Sequence, residues 1–385
     1  MASERLSEAG RRRVEEPIEG PSAGSFEGSF SDGGARAGAA LDSGWRRRLV
    51  ALGASAALLL LAVLLAVGVG AVGLDPGRVV ATLLDHAGMD VGNPLHGVEA
   101  EILLQLRLPR VLLVALVGGS LAVAGATYQG VFRNPLADPY LLGAAAGAGL
   151  GATLVIAYVP HNTGPFSTVP VAAFLGALTG VGLAYLLGTL ASRAGGGGTG
   201  TLLLAGVAVT MFLTALQTFV QQAHADDLLT VYSWILGQLG DASWGQLGLA
   251  LPYAAAAVAV LLGSARALDV LAVGDEEAAT LGLRPQRVRL VVLVAASLAT
   301  AAAVAVSGLI GFVGLVVPHI VRRLAGGSYQ VVVPVSLLGG AAFLVLADLL
   351  ARTVIAPGEL PIGVVTASIG APFFAALLRT GGGHA

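Results

Sequence analysis

The chain has 385 residues, of which 56% are hydrophobic and only 11% charged, against roughly 25% charged in an ordinary soluble domain. Too few charges remain to coat a water-soluble globule of this size, and the mean hydropathy of +0.83 points the same way. The net charge is −2 and every basic residue is an arginine; a nucleic-acid partner gains no support from this, and the absence of cysteine excludes disulfides, thiolate metal sites and cysteine nucleophiles.

Residues 1–44 are rich in Gly, Ser, Glu and Arg and have no apolar periodicity, which predicts a disordered cytoplasmic tail. Arg11, Arg12 and Arg13 are followed by polar residues, so a cleavable signal peptide is not expected. Residues 45–380 then form one membrane domain, with 381–385 as a short cytoplasmic tail. A helix that crosses a hydrocarbon layer of about 30 Å needs about 20 apolar residues. Ten runs approach this length: 49–72, 111–131, 141–159, 169–190, 202–220, 247–262, 290–306, 309–321, 331–350 and 362–378. The seventh and eighth are joined by Ser307 and Gly308 with almost no loop.

Arginine placement orients these runs, because basic residues are retained in cytoplasmic loops. With the N-terminus inside, twelve arginines flank the cytoplasmic side, among them Arg46, Arg133, Arg289 and Arg322. Only Arg78, Arg107, Arg110 and Arg352 fall outside. The expectation is a multi-pass protein of the inner (cytoplasmic) membrane with both termini cytoplasmic. Glycine and alanine crowd the runs, as in 143–151, which permits close backbone approach between helices.

The chemistry expected of such a chain is limited. Asp348, near the outer end of the ninth run and without an evident partner, is the one ionised residue inside a span. An ion-coupled secondary transporter normally places carboxylates or histidines within the membrane, and a membrane enzyme needs clustered polar residues at one depth. Neither pattern is present. A G-x-S-x-G match at Gly20 and a G-x-G-x-x-G match at Gly68 lack the strand and helix that would give them meaning. A Walker A loop needs a lysine, and the chain has none. The six histidines, His86 and His96 included, show no ligand spacing, so no metal site and no catalytic residue is expected.

Three stretches carry a resemblance: Arg107-Leu-Pro-Arg110 with Asn134-Pro-Leu-Ala-Asp-Pro139, the stretch 308–322 (GLIGFVGLVVPHIVR), and Glu359-Leu-Pro-Ile-Gly-Val-Val-Thr-Ala367. Together they resemble the FecCD-type permeases of type II ABC importers, over about 49–379. The resemblance implies an all-α integral membrane fold of about ten transmembrane helices. It also implies a non-enzymatic permease subunit that forms the path for iron(III)–siderophore uptake, or for haem or cobalamin. No cofactor is expected on this chain; ATP and Mg would sit on a partner ATPase. The implied partners are a second permease copy or paralogue, two ATP-binding-cassette ATPase subunits, an extracytoplasmic substrate-binding protein and membrane lipid.

Site residues follow from the same resemblance. Arg107, Arg110 and Arg352 lie outside against the basic bias, and family arginines at these positions meet acidic residues of the binding protein. Snorkelling to lipid phosphate is the plainer alternative. In the cytoplasmic connection 265–289, Asp275, Glu276 and Glu277 stand where a short helix would start and Gly282 where it would end. By resemblance this helix, from Gly274 through Ala278 to Gly282, seats in a groove of the ATPase. The loop before the fifth run, with Thr199, Gly200 and Thr201, matches the position of the family's cytoplasmic gate, although a glycine run replaces the bulkier polar residues there.

Overall fold

The computed structural model describes residues 29–70, 73–89, 92–159, 168–193, 199–237 and 239–381. The chain divides into two units, 1–47 and 48–385. The match at Gly20 lies outside the described residues, as do 1–28 of the expected tail and 382–385. Helix α1 (Ser29–Gly68) starts within the segment expected to be irregular, and its part from Arg46 on is a candidate membrane span.

The regular structure of the described residues is all helical, without a strand. After α1 come α2 (Pro76–His86), α3 (Val98–Glu101) and α4 (Leu108–Phe132). Next are α5 (Ala144–Tyr158), α6 (Thr168–Arg193), α7 (Thr199–Ala223), α8 (Leu228–Ile235) and α9 (Trp244–Gly263). The chain continues through α10 (Ala265–Val273), α11 (Asp275–Thr280), α12 (Pro285–Ser307), α13 (Val313–Ala325), α14 (Tyr329–Thr353) and α15 (Ile362–Gly381). Each of the ten apolar runs contains most of one apolar helix, for α1 of its part from Arg46 on. Seven helices among the described residues are long and apolar enough to cross a membrane, and α5 and α15 are shorter apolar helices.

The eighth run differs from the expectation. Helix α13 has 13 residues, about 20 Å of rise against a hydrocarbon layer of about 30 Å. Residues 308–312 before it are not helical, with Gly308 and Phe312 both at φ 69°. Non-helical backbone inside a bundle persists only where protein groups satisfy it. Here the Tyr140 hydroxyl accepts from the Ile310 N–H at 3.2 Å and donates to the Ile310 carbonyl at 3.0 Å.

Helix α4 is the central rod. Residues 98–132 run continuously through α3, a π-helical stretch Ile102–Arg107 and α4. Pro109 has no N–H to give the preceding turn, and the helix widens just ahead of it. The carbonyl of Leu104, in the widened turn, accepts from the Trp244 indole at 2.9 Å. Most of α4 is buried, against α14 along one side and α12 and α13 along others. Glycine makes these contacts close: Gly118 meets Gly340 of α14 and Gly125 meets Gly314 of α13 with no room for a β-carbon. The α5–α6 pair repeats the device with Gly147 on Gly176 and Gly151 on Ala172.

Candidate functional site

Two polar clusters mark the two ends of α4. At its N-terminal end, Arg110 is held by two carboxylates from distant parts of the chain. Its Nε and Nη2 donate to Asp348 Oδ1 of α14 at 3.2 and 2.9 Å. Its Nη1 and Nη2 donate to Glu359 Oε1 and Oε2, both at 2.9 Å, a parallel two-bond fork. Arg352, one turn beyond Asp348, sets its Nε 3.0 Å from Asp348 Oδ2 and donates from Nη2 to the Ala66 carbonyl of α1 at 3.1 Å. Arg107 donates from Nη1 to the carbonyls of Val67 and Gly68 at 2.8 and 3.0 Å, and so caps the end of α1.

The three arginines lie together at this end of α4, but they are turned inward. The Arg110 and Arg352 side chains are 12% and 9% exposed, and Arg107 is buried. They neither reach out as free cations nor snorkel. Asp348, read from sequence as lacking a partner, has two. The i,i+4 spacing to Arg352 on one helix carried that signal; the pairing with Arg110, across 238 positions, carried none. Glu359 sits in the connection between α14 and α15. Its carboxyl is held below the usual range, chiefly by the hydrogen bonds from Arg110, with burial opposing and the charges of Arg110 and Arg352 assisting.

Beside this cluster opens a cavity of about 590 Å³, lined by Arg110, Thr230, Trp234, Asp241, Gln246 and Glu359 among others. The end of α8 and the start of α15 meet here: Gly363 and Ile362 donate their N–H groups to the carbonyls of Leu236 and Gly237 at 3.0 and 3.3 Å.

At the C-terminal end of α4, Arg133 adopts a left-handed conformation, φ 48°. Its guanidinium donates to the Leu271 carbonyl at 3.0 and 2.7 Å and pairs with Asp275 Oδ1. Arg289 of α12 grips the same carboxylate at 2.7 and 2.6 Å. Asp275 is consequently held below the ordinary carboxylate range, first by the hydrogen bonds from Arg289 and then by the charges of Arg289 and Arg133 against partial burial.

Helix α11 starts at Asp275 and stops as its sequence predicts. The Leu283 N–H returns to Ala278 and the Gly282 N–H to Ala279, both at 3.0 Å, with Gly282 left-handed at φ 84°. One orientation departs from expectation. Ala278 is fully buried, packed among residues such as Leu268, Leu271 and Val292 of its own chain. The outward face carries Glu276, Glu277 and Thr280, flanked by Val273 and Leu281, each 69% exposed. Of the expected gate, Gly200 and Thr201 lie in the first turn of α7, where Thr199 begins the helix; 194–198 are outside the described residues.

Comparison with known proteins accords with this arrangement. Residues 58–380 match the model of the FecCD transport family. The chain is 44% identical over 274 residues to the cobalamin import system permease protein BtuC of Halobacterium salinarum, covering 71% of this chain and 72% of that protein. It is 36% identical over 334 residues to the Fe(3+)-citrate import system permease protein YfmE of Bacillus subtilis, covering 87% and 96%. Among solved structures, an inward-facing metal-chelate type ABC transporter superposes with a TM-score of 0.74 at 28% identity, over 86% of this chain and 98% of that one. Helices fit to span a membrane, arginine clusters at both ends of a buried central helix, and a match over almost the whole membrane unit place this chain in the FecCD transport family, as a multi-pass permease subunit of an ABC importer.

Proposed function

We propose that this permease carries metal chelates inward, iron(III)–siderophores first, with haem or cobalamin as the alternative cargo. The observation that supports the reading best is the pairing of two sites on one helix. The Arg110 cluster adjoins an open polar cavity at one end of α4, and the Asp275 cluster ties the short helix α11 to the other. The cargo named for the relatives, cobalamin and ferric citrate, sets the chemical class. In this reading the Arg110 end faces outward and meets an extracytoplasmic substrate-binding protein. The α11 end faces the cytoplasm, as do both termini, in agreement with the arginine bias.

Two ATPase subunits, which carry ATP and Mg, would seat on the outward face of α11, where the exposed apolar Val273 and Leu281 flank acidic residues. This chain needs no cofactor of its own. A second permease copy or paralogue would complete the path against the apolar stripe Leu204, Met211 and Phe219 of α7, each about 70% exposed, with membrane lipid around the rest. The gate falls at the α6–α7 connection, around Thr199, Gly200 and Thr201. An ion-coupled carrier is the rival, and it is disfavoured because Asp348 is clamped between Arg110 and Arg352.

The test is reconstitution in proteoliposomes with the ATPase subunits and the binding protein. ATP-dependent uptake of a ferric siderophore, preferred over haem and cobalamin, is the expected result. Uptake driven by an ion gradient without the ATPase would reject the reading.

A further inference from the structure

The arginines expected to greet an external partner are already occupied by the chain's own groups, and the occupants are not alike. Arg107 and Arg352 hold carbonyls at the end of α1. Asp348, with a side chain 2% exposed, supports Arg110 from within. Glu359, in contrast, is 45% exposed and covers the remaining edge of the same guanidinium. A new acidic group approaching from outside meets Arg110 where Glu359, its more exposed partner, covers the guanidinium. Glu359 also precedes the point at which Ile362 and Gly363 seat α15 on the carbonyls of α8. The fork thus fastens the α14–α15 connection to α4 at the rim of the cavity.

We propose that Glu359 is an internal stand-in for a carboxylate on the extracytoplasmic binding protein, and that docking exchanges one for the other on Arg110 and releases the α14–α15 connection. The proposal rests on reading the Arg110 end as the docking face. The exchange conserves charge and hydrogen bonds: Arg110 gives up two N–H···O bonds to Glu359 and makes two to the newcomer, while Asp348 keeps the guanidinium in place. Such a swap is close to neutral, so the rest of the interface decides its direction. It also makes the undocked permease self-restrained, because a partner shifts the equilibrium only by its preference for the released state.

The experiment uses the assembled transporter in nanodiscs: permease, ATPase subunits and binding protein, with wild type, Glu359→Gln and Arg110→Ala compared. Glu359→Gln should bind the binding protein about two- to fivefold more tightly, the scale of removing a half-exposed competitor. Without binding protein it should also exchange amide hydrogens faster over residues 354–363. If Arg110→Ala weakens docking while Glu359→Gln binds and exchanges like wild type, the docking reading stands and the exchange mechanism is overturned. If Arg110→Ala docks normally as well, the reading beneath the proposal fails with it.

Discussion

Asp348 lies between Arg110 and Arg352 with its side chain 2% exposed, whereas Glu359 shares Arg110 from a position 45% exposed. The two carboxylates should therefore differ sharply in what they contribute to folding. Asp348→Asn leaves the sequestered Arg352 without its carboxylate and Arg110 with Glu359 alone, which costs about 3 kcal/mol; Glu359→Gln should cost less than about 1 kcal/mol. Thermal unfolding in detergent reads the difference, and equal midpoints for the two variants would count against it. The Glu359 contribution should also depend on pH in a stated direction. A carboxylate whose pKa falls on folding stabilises above its ordinary value, about 4.3, and loses that contribution as pH drops through the lower folded value. Wild type and Glu359→Gln should thus differ at neutral pH, and the difference should shrink as pH falls below the ordinary carboxylate value towards the lower folded one. At this scale the sequence disclosed which residues matter and not what they touch. Arg107, Arg110 and Arg352 stood out because arginines are scarce on their side. Apart from Asp348, one turn from Arg352 on α14, their partners come from α1, α14 and the loop before α15, and no local spacing joins those.

Helix α11 shows how an element can be legible in its ends and misread in its faces. Gly274, the acidic triplet Asp275 to Glu277 and Gly282 fix where it starts and stops. Which side it turns to the protein depends on α10 and α12, which pack against it. Ala278 faces them, so Ala278→Glu would force a charge into the protein's own packing and lower the unfolding midpoint. Leu281 is free of such contacts, and Leu281→Asp should leave the midpoint unchanged while ATPase copurification falls severalfold. Retained copurification with Leu281→Asp would move the ATPase contact elsewhere. Hydropathy likewise counted 309–321 as a span because its residues are apolar. The break at Gly308 to Phe312 is maintained by Tyr140, whose hydroxyl replaces the missing helical partners of Ile310, and an apolar count is blind to that. The glycines at 308 and 311 were the available hint.

Among the described residues, α4 has a polar anchorage at each end, as does α14, which Asp269 holds at its start and Arg110 near its end. Arg107 and Arg110 fix the start of α4 to α1, α14 and the α15 entrance, and Arg133, just past its end, fixes it to α11 and α12 through Asp275. Between these anchors, close glycine contacts at Gly118 and Gly125 leave it little freedom to bend around α14 and α13. A displacement of α11 by a closing ATPase would therefore reach the Arg110 cluster as movement of a rod. The connection from α11 to that rod is the Arg133 guanidinium, and it can be removed with little strain. Arg133 is left-handed at φ 48°, a conformation glycine adopts freely, so Arg133→Gly deletes the bridge while suiting the backbone. Arg289 keeps its own grip on Asp275, so α11 should stay folded and able to seat the ATPase. The expected outcome in proteoliposomes is normal ATPase copurification and docking, with cargo moved per ATP reduced severalfold. An unchanged ratio of transport to hydrolysis would show that α4 does not carry the stroke, leaving α12, held to Asp275 by Arg289, as the element through which it passes.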